Sequence, residues 1–221
     1  PYFWDGQARR NSIDELIEKG YGRAMTVGAL STGIVGGGAG TIIDIDQPEF
    51  IVGVPAGFWI KLFFAEIVVQ GGVATADDNE CEALLAVDVL GTYSTEPTPT
   101  GAAVTNTPEL PVNMRTSFGR GSACKCASAF VVDMVTRNLI GTEADPVLDM
   151  ELGRVVETAD LQGTAANMIY RNIRLLYAPA HPPLLVGPCS LIGYWGGTIA
   201  TVGGFAIVQW VEGPVSMLEA V

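Results

Sequence analysis

The chain is short of the groups that most enzyme chemistry uses. It has one histidine and four cysteines in 221 residues. A Ser-His-Asp or Cys-His device would have to run through His181, in Ala180-His181-Pro182-Pro183, and no G-x-S-x-G elbow is present to meet it. His181 therefore reads as a surface loop residue. One histidine is also too few for the ligand set of a cupin-type enzyme. Four cysteines (Cys81, Cys124, Cys126, Cys189) in so long a chain do not make a disulfide framework. Charge is scarce as well, at 16% of residues, against about a quarter in ordinary soluble domains. Basic residues are fewest: 12 Lys and Arg stand against 24 Asp and Glu, a net charge of −12. No basic cluster exists beyond Arg9-Arg10, so direct nucleic-acid binding is not expected. Nothing here points to an enzyme, and no cofactor is expected.

What the chain has in abundance is apolar residues, 48%, with 27 glycines and 13 prolines spread along it. That is the composition of a many-turned β protein, and the length suits one large β domain. The stretch from Pro48 to Gln70 organises the rest. Two apolar runs flank Pro55-Ala56-Gly57, where proline pre-sets one dihedral and glycine accepts a positive φ. The runs read as a hairpin of paired antiparallel strands. In the second run both alternating sets are apolar: Phe58, Ile60, Leu62 and Phe64 on one side, Trp59, Phe63, Ile67 and Val69 on the other. A strand of that kind must be covered on both faces, by another sheet, an extra loop or another subunit.

Before this stretch, residues 1–23 read as an arm. Ser12 and Glu15 form a capping-box pattern and Gly20 a stop, with Ile13, Leu16 and Ile17 on one apolar face between them. A helix this short must dock on something, either its own domain or a neighbouring subunit. The opening Pro1-Tyr2-Phe3-Trp4 carries no leader pattern, and a leading proline fits removal of an initiator methionine, so synthesis in a cytoplasm is expected. Gly33 to Gly40 is glycine-rich but breaks the G-x-G-x-x-G spacing at Thr41 and precedes β-like sequence, so it reads as a loop and not a phosphate cradle. Asp77-Asp78-Asn79-Glu80 lacks the alternate spacing of a calcium loop and reads as a solvated turn.

Further strands are expected over Ala24–Leu30, Ala83–Leu90, Ser122–Thr136, Val147–Val156 and Ala165–Tyr177, with a long Pro/Thr loop over Tyr93–Pro111. In the last of these strands Arg171 shares an apolar row with Ile169, Ile173, Leu175 and Tyr177, a position typical of an edge or interface arginine with a carboxylate partner. Leu184 to Val211 has no charged side chain and is long enough to span a bilayer. Its glycines and Pro188 divide it into strand-length pieces, so a span is not expected, while surface contact with a membrane stays open. Trp195-Gly196-Gly197-Thr198 and Val202-Gly203-Gly204-Phe205 read as turns or bulges, and Phe205 to Glu212 as a final buried strand. Cys124 and Cys126 would face one way on a strand and are the best metal candidates, with Cys81 and Cys189 as further thiols. The spacing is not that of a zinc knuckle, and buried free thiols are the plainer reading.

The early Pro-x-Gly turn, the Thr/Pro loop, the arm Pro1–Arg23 and the closing Gly203-Gly204-Phe205-Ala206-Ile207-Val208-Gln209-Trp210 together resemble single jelly-roll capsid proteins of viruses and bacteriophages. The resemblance covers residues 24–212. It implies an all-β antiparallel sandwich of jelly-roll type with a short N-terminal helical arm (1–23), a sandwich (24–212) and a C-terminal tail (213–221). It also implies a structural protein of the virion that assembles with copies of itself and with other virion proteins. The missing basic arm departs from many such proteins. The competing reading is a trimeric tumour-necrosis-factor-like or fibre-tip head that binds a receptor or glycan. Candidate interface residues are Ile13, Leu16 and Ile17 of the arm, Arg171, and the aromatics Tyr194, Trp195 and Trp210.

Overall fold

The computed structural model describes residues 12–28, 34–35, 43, 48–70, 79–89, 107–128, 150–159, 172–197 and 203–219. The elements in chain order are α1 (Ile13–Glu18), β1 (Gly22–Val27), β2 (Ile34–Val35), β3 (Phe50–Val54), β4 (Phe58–Gln70), β5 (Asn79–Asp88), β6 (Thr107–Glu109) and β7 (Val112–Asn113). After a 3-10 turn at Thr116–Phe118 come β8 (Lys125–Ser128), β9 (Met150–Ala159), β10 (Asn172–Tyr177), β11 (Leu184–Val186), β12 (Cys189–Gly197), β13 (Gly203–Pro214) and α2 (Ser216–Glu219). Among the described residues the strands form two sheets. Sheet one has seven strands, ordered β10-β4-β13-β1-β7, with β11 also on β4 and β2 on β13. Sheet two has six, ordered β6-β8-β3-β12-β5-β9. Every pairing is antiparallel. The all-β sandwich expected from the sequence is present.

The inner faces of both sheets meet in one core that includes Phe50, Val52, Ile60, Leu62, Ile67, Leu85, Leu191, Trp195, Val208 and Trp210. Alternation along the strands puts these side chains inside. In β4 the alternation changes phase. Trp210 of β13 lies opposite Leu62 and Gln209 opposite Phe64, so Phe63 is an extra residue with no partner across the ladder. Such a bulge rotates the strand by one side-chain position. The core row therefore reads Ile60, Leu62, then Ala65, Ile67, Val69. This explains much of the doubly apolar pattern: one inner row has been split between two sequence parities.

The outer face of sheet one is covered by the chain itself. Trp59 and Val211 are buried there with Leu16, and Ile13, Ile17, Tyr21, Phe63, Val215, Met217 and Leu218 pack around them. Helix α1 forms as its sequence dictates. The Glu15 amide donates to Ser12 Oγ at 3.1 Å. At the other end Gly20, at φ +87°, lets its N–H reach Ile17 O and lets Tyr21 N–H reach Leu16 O, the paired closure of a Schellman motif. Of the expected tail 213–221, the described residues 213–219 finish β13 and form α2, and Trp59 Nε1 donates to Pro214 O at 3.0 Å.

Three expectations need correction. The turn at Pro55-Ala56-Gly57 exists, with Phe58 N–H donating to Pro55 O and Gly57 at φ +85°, but it makes no hairpin. β3 belongs to sheet two and β4 to sheet one, so the turn is a corner between sheets. Trp195-Gly196-Gly197 and Gly203-Gly204-Phe205 are strand, not turns. Their glycines admit a close approach: a Cβ on Gly204 would sit 2.7 Å from the Trp195 indole. The strand expected over Ser122–Thr136 is β8, Lys125–Ser128, and positions 129–149 lie outside the described residues.

Candidate functional site: a buried glutamate at the end of the sandwich

The inward rows of β1 and β13 run Met25, Val27 and Ala206, Val208, Trp210. Continued one step toward the start of β1 and the end of β13, they bring in Arg23 and Glu212. Two charged residues thus stand where apolar ones would be expected, at one end of the core. Glu212 is 3% exposed. Burying a carboxylate is costly unless its lone pairs are filled, and here they are. Trp210 Nε1 donates to Glu212 Oε2 at 3.0 Å. The Ala123 amide donates to Oε1 at 2.9 Å, and Ser122 Oγ donates to Oε2. Arg23 Nε lies 3.1 Å from Oε1 without hydrogen-bond alignment. Its Nη1 donates instead to Gly20 O at 2.7 Å and Gly22 O at 2.9 Å. The Glu212 carboxylate therefore ties the segment Ser122-Ala123-Cys124, which leads into sheet two, to the end of the central strand β13 of sheet one. Its chemistry is that of an acceptor already saturated with donors.

Two of the four cysteines, Cys124 and Cys126, lie beside the Glu212 charge. Cys124 and Cys126 are both buried in the core with Lys125 exposed between them, so they share a face as expected. Cys81 lies opposite Gly197, at one end of β12, and Cys189 begins the other end. At the rise of a strand those ends are roughly 27 Å apart, so four thiols cannot converge. All four are free, and among the described residues no group of three His, Cys, Asp or Glu is placed to hold a metal. Burial, then the Glu212 charge, pushes the Cys124 thiol well above its ordinary value. Cys126 is raised by burial, Glu212 and Glu109. Burial and then Asp88 push Cys189 up to about 11, and burial raises Cys81. Thiols held in the protonated form are poor nucleophiles and poor ligands.

Tyr194, Trp195 and Trp210, expected at a contact between copies, are 1%, 1% and 0% exposed within the single chain. Trp195 and Trp210 fill the core. Tyr194 packs with Ile51, Leu84, Ala86 and Ile192 on the outer side of sheet two. All three are thus buried within one chain, the two tryptophans between the sheets and Tyr194 in an outer cluster against which Ile43 packs. Ile13, Leu16 and Ile17 pack on Trp59 and Val211 of their own chain. Arg171 lies outside the described residues. Arg174 pairs instead with Glu66 of β4, and Arg154 pairs with the buried Glu82. His181 is exposed, in the loop between β10 and β11.

Reasoning from sequence missed Glu212, Arg23, Ser122 and also Glu49, which is 2% exposed and accepts the Trp195 amide at 2.8 Å. The available signal was a single acid closing an apolar strand, with a single arginine opening another. Among the described residues no helix is long and apolar enough to cross a membrane. No family model, curated protein or solved structure matches this chain.

Proposed function

We propose that the chain is a structural virion protein, a capsid or virion-surface protein of jelly-roll fold, that works by self-assembly and not by catalysis. The strand order carries this reading. Eight strands have five residues or more: β1, β3, β4, β5, β9, β10, β12 and β13. Numbered one to eight along the chain, they lie 6-3-8-1 in sheet one and 2-7-4-5 in sheet two. Every consecutive pair except four and five crosses between sheets. That order supports two Greek keys wound together, as in the eight-strand jelly rolls of viral capsid and lectin domains and of cupins. The cupin branch wants clustered histidines, and this chain has one. The shell reading also draws support from the low charge content and from apolar groups exposed at both edges of sheet one, including Phe118 and Leu176. Its partners are copies of itself and other virion proteins, and it resides in the virion after synthesis in a host cytoplasm. The net charge of −12 keeps direct genome contact out of the proposal.

A trimeric binding head shares this strand order. The aromatics that would line its axis are buried within one chain, so nothing favours it over the shell. Light scattering and negative-stain microscopy of the purified chain test the choice. Shells or oligomers well beyond a trimer are expected. A particle that stops at three copies supports the head, and a monodisperse monomer at high concentration overturns self-assembly.

A further inference from the structure

We draw no further inference here: the strongest candidate, the surface patch of Leu110, Val112 and Phe118 with Arg115 and Arg120 on the hairpin at the β7 edge of sheet one, carries none because nothing in the structure shows what covers it.

Discussion

Replacing Glu212 with glutamine would test whether the buried ion cluster locks the end of the sandwich. Glutamine keeps the volume and one acceptor oxygen. It removes the negative charge beside Arg23 and turns an N–H₂ toward the donors from Ser122, Ala123 and Trp210. Breaking one side of a buried ion pair costs about 3–5 kcal/mol. Arg23 keeps two carbonyl acceptors and its side chain is 14% exposed, so the loss should fall near about 3 kcal/mol, the lower end of that range. For a chain of this size that is a fall in Tm of roughly 6–12 °C, and a large part of a typical total stability of about 5–15 kcal/mol. Urea unfolding followed by tryptophan fluorescence measures it. Arg23→Met should cost a similar amount. The double variant Arg23→Met/Glu212→Gln should cost clearly less than the two single losses added, because no unpaired charge remains. A loss under about 1 kcal/mol for Glu212→Gln, or strict additivity in the cycle, would refute the lock.

Gly193→Ala should destabilise by about 1–3 kcal/mol or more through overpacking, since its Cβ would lie 1.9 Å from Cε1 of the fully buried Phe50. In a Phe50→Leu background the same substitution should cost much less, and equal costs in both backgrounds would show that the ring is not the obstacle. The Cys189 thiol keeps its proton to about 11 against an ordinary 9.0, while the unfolded chain begins to lose it near 9. The native state then binds more protons in that window, so its contribution to stability is complete below about pH 9 and falls as pH rises toward 11. Comparing the pH slope of unfolding for the parent and Cys189→Ala checks this, and identical slopes above pH 9 would contradict it.

The fold class was legible because alternation and turn chemistry are local. Ser12 and Gly20 bound α1 as their residue types dictate, and Gly57 takes the positive φ that its turn needs. Pairing was less legible. Pro55-Ala56-Gly57 announces a reversal but cannot say whether the flanking strands share a sheet, since a corner and a hairpin use the same residues. Glycine was read as a breaker in 195–205, yet at Gly204 it makes room for Trp195, and a neighbour 9 positions away gives no local sign. The bulge at Phe63 has no glycine or proline to mark it. Of the interface candidates, the aromatics are buried within one chain, and a large buried side chain and a large contact side chain look alike in sequence. Glu212 and Arg23 went unseen because one charge ending an apolar strand reads equally well as the point where the chain meets water.

The unpaired Phe63 is the one residue of β4 that the inward row does not need. Upstream of it the even positions face inward, and downstream the odd ones do. Deleting that one residue would join the two phases into a single alternation with Ile60, Leu62, Ala65, Ile67 and Val69 all still inward, at the cost of the outer packing that Phe63 supplies. Losing a residue well to either side of Phe63 should instead turn the stretch between that site and the bulge inside out, so β4 should tolerate deletion of Phe63 far better than deletion of another residue of the strand.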